Sequence, residues 1–130
     1  MTTLETRLDI KSWDEKPYRE LPDGTKYARA EVTLAGTGEL TAGGFESLLH
    51  YRADGTGTYV ALMSLTASLG GRDGGIVLAG EGTYDGTTAI MNVRVVDATG
   101  ELAGLTGTAT STSTHADYPQ MPLVLTYDLA

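Results

Sequence analysis

Residues 57–86 read GTYVALMSLTASLGGRDGGIVLAGEGTYDG, and this stretch decides the fold class. In its first half, the side chains at the odd positions of residues 59–69 are more apolar than those at the even positions. Alternation with a period of two is typical of a half-buried β-strand. Asp73-Gly74 and Asp85-Gly86 then indicate turns, because Asp-Gly is a common pair in tight hairpin connections. The stretch therefore predicts antiparallel strands joined by short turns.

Turn signals recur along the whole chain. Asp-Gly also occurs at residues 23–24 and 54–55, and GTG at 36–38, ATG at 98–100 and STHADYPQ at 113–120 are three further breaks. The runs between them are rich in Thr, Val, Leu, Ile and Tyr, which suit a pleated, half-buried surface. We place eight strands at residues 3–13, 25–34, 39–52, 57–69, 75–84, 87–97, 101–111 and 121–129. This pattern favours an all-β fold, a closed eight-stranded antiparallel barrel, with a sandwich as the alternative.

Length and charge limit the possible functions. The chain has 130 residues, which we expect to form a single domain over residues 1–130. The net charge is −8, and the only cations after Arg52 are Arg72 and Arg94. Because no stripe of cations is available for a phosphate backbone or an anionic membrane, we expect neither nucleic acid nor a membrane as a partner. The polar start, MTTLETRLDI, lacks the apolar core of a signal peptide and favours a cytoplasmic location.

Metal and cofactor chemistry has little support in the sequence. The chain has no cysteine, which excludes disulfides, thiolate metal sites and cysteine nucleophiles. His50 lies on a predicted strand and His115 in a polar loop, and neither has a neighbour at metal-ligand spacing, so we expect no metal site. The glycines of GTGELTAGG do not lead from a strand into a helix, and no Gly-x-Ser-x-Gly motif is present. We expect no cofactor.

The same alternation assigns side chains to the interior of the predicted barrel. In the third run, the alternation places Glu46, His50 and Arg52 outside. The residues predicted to point inward are Leu4, Leu8, Ile10, Ala28, Ala30, Val32, Phe45, Ser47, Leu49, Tyr51, Tyr59, Ala61, Met63, Leu65, Ala67, Leu69, Ile76, Leu78, Tyr84, Ala89, Met91, Val93, Val95, Leu123, Leu125, Tyr127 and Leu129.

Two glycines interrupt the fifth run. Gly80 and Gly82 lie two residues apart and share a face with Leu78 and Tyr84. Glycine inside a strand usually marks a bulge, a bend or a close approach. The two glycines therefore either permit the strand to bend or leave space for a ligand, and these alternatives can coexist.

Four tyrosines are the strongest candidates for functional residues. Tyr51, Tyr59, Tyr84 and Tyr127 fall on inward positions of four different strands. A tyrosine combines an apolar ring with a hydroxyl that can bind or polarise a carbonyl oxygen. The alternative is that the rings simply fill the core. We assign ligand contacts to Phe45, Met63, Leu78, Gly80, Gly82, Met91, Leu125 and Trp13.

Glutamates that interrupt apolar sequence form a second set of candidates. A buried Glu46 or Glu81 would have a raised pKa and could act as a general acid or base, and Glu46 is included among the candidate catalytic residues. The alternative for each is an outward, solvated carboxylate. Trp13, followed by Asp14 and Glu15, is expected to close one end of the barrel, with a contact to ligand as the alternative.

Three blocks of sequence resemble a known family. IKSWDEKPYRE at residues 10–20, GRDGGIVLAGEGTYDG at 71–86 and TGELAGLTGTA at 99–109 are similar, in this order, to blocks of the bacterial domain-of-unknown-function family 3224. That family resembles allene oxide cyclase in fold, which implies a calycin-like closed barrel. The resemblance implies little chemistry, although the wider group includes enzymes that fold a flexible, mostly apolar substrate inside the barrel and let it cyclise.

Together these observations predict a protein that binds a small, mostly hydrophobic molecule in its barrel. As an enzyme it would be a cofactor-independent cyclase or isomerase of a polyketide-like or fatty-acid-derived intermediate, a role in natural product biosynthesis. One alternative is a non-catalytic carrier or sequestering protein, and another is a structural or interaction module with a filled core. By analogy with the fold, we expect a homo-oligomer, a dimer or trimer.

Overall fold

The computed structural model of the protein describes residues 1–130 and confirms an all-β fold. Its strands are β1 (Thr2–Glu20), β2 (Lys26–Ala35), β3 (Leu40–Tyr51), β4 (Gly57–Leu69), β5 (Arg72–Tyr84), β6 (Thr88–Ala98), β7 (Thr106–Thr114) and β8 (Gln120–Asp128). Each strand pairs antiparallel with the next, and β8 pairs with β1. The eight strands therefore form one sheet that closes into a ring.

Strand β1 is longer than the predicted run, which stopped at residue 13. Its first half pairs with β8, from Thr2 to Asp9, and its second half pairs with β2 as far as Glu20. The register shifts between Ile10 and Ser12, where the strand passes from one neighbour to the other. Because the polar second half of β1 is mostly exposed, apolar alternation gave no sign that the strand continues.

Two predicted turns are placed differently by the structure. The β4–β5 hairpin turns at Gly70 and Gly71, which have φ values of 58° and 77°, and not at Asp73-Gly74, which lies within β5. Positive φ at both central residues is the requirement of a tight hairpin turn, and adjacent glycines meet it without steric cost. Strand β7 begins at Thr106 instead of residue 101 because the β6–β7 connection contains a short 3₁₀ helix, Gly100–Leu102.

One half of the ring is filled by side chains. Val32, Phe45, Met63 and Leu78 are aligned across β2 to β5 and form one layer, and Met63 and Leu78 are 0% exposed. Leu102, from the β6–β7 connection, is buried at the same end. We call this region the packed half. Close packing of this kind supplies most of the hydrophobic stabilisation of a domain.

The outer face carries polar side chains and an apolar patch. Leu48 and Val60 lie opposite each other on β3 and β4, and together with Leu62 they are about half exposed.

No helix in the structure has the length and apolar character needed to cross a membrane. The dimer or trimer stays a prediction.

Candidate functional site

The other half of the ring contains a cavity of about 580 Å³. We call this region the hollow half. It lies at the end where β3 and β5 finish and β4 and β6 begin. The cavity is lined by 19 residues: Ile10, Trp13, Ala30, Phe45, Ser47, Leu49, Tyr51, Tyr59, Tyr84, Thr87, Ala89, Met91, Ser111, Ser113, Thr114, His115, Tyr118, Gln120 and Met121.

Small residues explain why this half is hollow. Ala30, Ser47, Ala61 and Gly80 are aligned across β2 to β5, directly next to the layer that contains Met63. Each of these side chains is too short to reach the centre of the ring. The interior of an eight-stranded barrel is just wide enough for side chains to fill or for one small ligand. Of this layer, Ala30 and Ser47 line the cavity, and their short side chains leave room for a ligand.

Gly80 and Gly82 do not line this cavity. A Cβ atom at Gly80 would overlap the backbone of Asn92, and one at Gly82 would overlap the ring of Tyr59 and lie 2.5 Å from the carbonyl oxygen of Ile90. Glycine at these positions lets β6 come close and lets the ring of Tyr59 lie against β5. The geometry supports close approach as the reason for these glycines, and their predicted ligand contacts have no counterpart in the lining of this cavity.

Trp13 and Tyr51 form one side of the opening through a shared carboxylate. The hydroxyl of Tyr51 donates to Oε2 of Glu15 at 2.8 Å, and Nε1 of Trp13 approaches Oε1 at 3.2 Å. The ring of Trp13 meets Phe45 edge to face, with centroids 5.9 Å apart. Burial, followed by the hydrogen bond and the charge of Glu15, raises the pKa of Tyr51 well above its ordinary value.

Tyr59 lies deeper in the wall. Burial raises the pKa of Tyr59 to about 12, because the phenolate would lose its hydration. The hydroxyl makes a long contact of 3.4 Å with the carbonyl oxygen of Ile90. Tyr59 therefore stays protonated at neutral pH and presents mainly its ring to the cavity.

Tyr84 and His115 form a pair at the opening. The hydroxyl of Tyr84 lies 2.9 Å from the carbonyl oxygen of Gly86 and 3.1 Å from Nε2 of His115. A phenol that donates to the carbonyl can accept from an Nε2–H of the imidazole, whereas an Nε2 that carries no hydrogen can instead accept the phenol proton. This pair can hold or move a proton at the edge of an otherwise mostly apolar cavity.

Ser47 carries the one buried side-chain oxygen or nitrogen that has no hydrogen-bond partner. The residue is 4% exposed and lies between Phe45 and Leu49 on the inner face of β3. On β7, the hydroxyl of Ser111 is within 3.3 Å of that of Ser113, so these two serines satisfy each other. The cavity wall thus contains one buried hydroxyl without a hydrogen-bond partner.

The structure brings together six of the thirteen predicted site residues. Trp13, Phe45, Tyr51, Tyr59, Tyr84 and Met91 line the cavity. Met63, Leu78, Leu125 and Tyr127 point inward as predicted, but they are packed core side chains outside the cavity lining, so the structure does not bring them together with the other six.

The candidate carboxylates lie outside the ring. Glu46 is exposed and pairs with Arg29 at 2.8 Å, and Glu81 is also exposed on the outer face. His50 lies on the same face, where its ring meets that of Tyr27. Glu46 thus has the outward position assigned from the sequence, and the alternative of a buried Glu46 acting as general acid or base inside the barrel does not hold, because even positions of β3 point outward.

Sequence reasoning missed Ser47, Ser111, Ser113 and His115 as site residues. Ser47 was assigned inward, and a serine on an inward position of an apolar strand was a usable signal. His115 gave no such signal, because its contact with Tyr84 joins the end of β5 to the β7–β8 connection, which is distant in sequence.

Comparison with known proteins gives a family without an assigned role. The family described as "Protein of unknown function (DUF3224)" matches residues 5–126. A crystal structure of a protein with unknown function from the DUF3224 family of Shewanella oneidensis MR-1 is similar, with a TM-score of 0.76 and 25% sequence identity. The alignment covers 100% of this chain and 98% of that chain. No curated protein matches the sequence.

Proposed function

The chain belongs to the DUF3224 family, and we propose that it binds a small, mostly hydrophobic molecule in the hollow half. The single observation that supports this proposal is the cavity of about 580 Å³. Small-molecule sites commonly have volumes of about 300–1,000 Å³, with mostly apolar walls and a few placed polar groups. Rings of Trp13 and Phe45, the side chain of Met91 and the hydroxyl of Ser47 provide this combination.

We further propose that the bound molecule undergoes cyclisation or isomerisation, as in barrels that resemble allene oxide cyclase. Such reactions need a flexible substrate to be held in a reactive conformation away from water, and they need no nucleophile. Tyr84 and His115 supply a proton donor and acceptor where a carbonyl of a polyketide-like or fatty-acid-derived intermediate would meet the opening. Their role would be to polarise that carbonyl.

A second candidate function, a non-catalytic carrier, is favoured by a specific observation. The hydroxyls of Tyr51 and Tyr84 already have protein acceptors, Glu15 and the carbonyl oxygen of Gly86. A phenol that donates within the protein does not polarise a ligand. In a carrier these tyrosines would shape the opening without taking part in a reaction.

The test begins with thermal unfolding of the protein against apolar carbonyl compounds and extracts of the host. A ligand at about a hundred times its Kd adds about 2.7 kcal/mol to the free energy of unfolding, which raises Tm by several degrees. Bound material is then released and compared with the input by mass spectrometry. A product of equal mass and different retention supports cyclisation or isomerisation, and unchanged ligand supports the carrier. No shift with any compound would contradict both.

Variants separate the two functions. Tyr84→Phe removes a hydroxyl from the opening, and Tyr127→Phe removes one from a buried tyrosine outside the cavity. For an enzyme, we expect Tyr84→Phe to slow product formation while binding is kept, and Tyr127→Phe to leave product formation unchanged. Equal rates in Tyr84→Phe and the wild type would exclude the role of Tyr84.

A further inference from the structure

Ser47 lies where a polar group is costly unless something binds it. Its Cα neighbours across the sheet are Ala30 on β2 and Ala61 on β4, so neither adjacent strand offers it a side-chain acceptor. The residue is 4% exposed and its hydroxyl is unpaired. A buried hydroxyl without a partner destabilises a fold, and such a group in a native structure calls for an explanation.

The small neighbours that isolate Ser47 also leave space in front of it. With alanines on both sides, the space between Ser47 and the centre of the ring is not filled from β2 or β4. Phe45 continues into the packed half, and Tyr51 stands four residues away toward the opening. At about 3.3 Å per residue, Ser47 lies about 13 Å along β3 from Tyr51. Ser47 is therefore a polar residue of the cavity wall toward the packed half, which we call the deep end, and rotation about its Cα–Cβ bond would turn its buried hydroxyl to the cavity.

The other hydroxyls of the cavity wall have protein partners, apart from that of the exposed Tyr118. Ser111 pairs with Ser113, Tyr51 donates to Glu15, and Tyr84 contacts Gly86 and His115. A serine hydroxyl can donate one hydrogen bond and accept others. Since the wall around Ser47 is apolar or neutral, a charged ligand group placed there would lose its hydration without an ionic partner, whereas a carbonyl oxygen gains a donor.

We propose that Ser47 is the specificity-determining residue of the cavity and that the ligand is a neutral carbonyl compound, a ketone or ester, whose carbonyl oxygen accepts from the Ser47 hydroxyl at the deep end. This inference rests on the proposed small-molecule binding. It assigns the orientation of the ligand, with this carbonyl inward and the rest of the molecule toward Trp13 and Tyr51; for an enzyme, the carbonyl that meets Tyr84 and His115 at the opening would be a second one.

The test uses two probes that differ only at the group in question. Benzophenone has a carbonyl between two rings, and diphenylmethane has a methylene at the same position. We expect the wild type to bind benzophenone about tenfold more tightly, the effect of one neutral hydrogen bond to an otherwise unpaired group. Calorimetric titration gives both Kd values.

Variants assign that difference to one hydroxyl. Ser47→Ala should weaken benzophenone binding about tenfold and leave diphenylmethane binding unchanged. Ser47→Thr, which keeps a hydroxyl, should retain the preference for benzophenone. Ser64→Ala, on the exposed face of β4, is the matched control and should change neither Kd. Because Ser47→Ala removes an unpaired group, the empty variant should be at least as stable as the wild type.

The outcomes separate this inference from the proposed function. Equal binding of the two probes by the wild type, or an equal preference in Ser47→Ala, would overturn the role of Ser47 while small-molecule binding stands. Failure of both probes to bind would contradict this inference and count against the cavity as a ligand site. A preference for benzophenone that disappears in Ser47→Ala and persists in Ser64→Ala supports the proposal.

Discussion

The packed half and the hollow half are built by the same strands with the same alternation. Met63 lies on β4 in the packed half, and Met91 lies on β6 in the hollow half. Both are nearly inaccessible to solvent, with 0% and 4% of their surface exposed. Met63 is aligned with Phe45 and Leu78, whereas Met91 is aligned with Gly82 and Ser111. Neighbour size, and not strand geometry, therefore determines whether a stretch of the ring becomes core or cavity.

The largest difference between the halves should appear on truncation of these two methionines. Met63→Ala removes a side chain with packed neighbours, so we expect a loss of about 2–5 kcal/mol in the free energy of unfolding. Met91→Ala should cost less, about 1–2 kcal/mol, since the side of Met91 that faces the cavity has fewer contacts to lose. Urea unfolding measures both values. Equal losses would mean that the hollow half is as tightly packed as the other.

Glycine replacement tests the close approach of β5 and β6. In Gly80→Ala, the new Cβ would overlap the backbone of Asn92, which cannot rotate away. We expect a loss of about 1–3 kcal/mol in the free energy of unfolding, the usual cost of overpacking. Gly38→Ala is the control, because a Cβ there meets nothing within 4 Å. If Gly80→Ala were as stable as Gly38→Ala, Gly80 would border open space.

Alkaline titration sharpens the comparison at the wall of the cavity. The pKa of Tyr59 is raised from an ordinary 10.0 to about 12 by burial. Above pH 10 the unfolded chain loses this proton while the folded protein keeps it, so the contribution of Tyr59 to stability is complete below pH 10 and is lost as pH rises to about 12. Tyr59→Phe should lose less stability over this window than the wild type.

The control for that titration is Tyr18→Phe, which removes an exposed phenol. Unfolding in urea at both ends of the pH window gives the loss for each protein. If the wild type and Tyr59→Phe lost equal stability, Tyr59 would be hydrated in the folded protein. In that case its ring would not form part of an apolar wall.

The smallest effect is expected outside the ring. Glu46→Gln breaks an exposed ion pair with Arg29, and such pairs contribute about 0–1 kcal/mol. Benzophenone binding should be unchanged, in contrast to Ser47→Ala at the adjacent position. Calorimetric titration of both variants makes the comparison. A weaker Kd in Glu46→Gln would show that the outer face influences the cavity.

The sequence predicted the strands better than the site. Inward positions from Ala28 to Tyr127 followed from alternation, because one face of each strand is dry. The second half of β1 was missed because it is exposed on most of its length, and the turn at Gly70-Gly71 was missed because Asp73-Gly74 is the more familiar signal.

Site residues were harder to predict. The alternation of apolar and polar residues shows which side chains point inward, but not how far along the ring each one lies. Tyr51 and Tyr127 both occupy inward positions, yet Tyr51 borders the cavity and Tyr127 is packed at the other end. Only the register between strands shows that Ala30, Ser47, Ala61 and Gly80 share one layer. Register depends on turns and bulges that local sequence leaves undetermined.

The β6–β7 connection has a consequence for how a small molecule could enter and leave the cavity. Leu102 and Leu105 close the end that the cavity does not reach, so the cavity opens at one end of the ring only. On the proposed function, a molecule that enters past Trp13 and Tyr84 would have to leave by the same opening. Arrival of one molecule and departure of another would then not overlap, and the residence time of the bound molecule would set the upper limit on the rate of exchange or turnover.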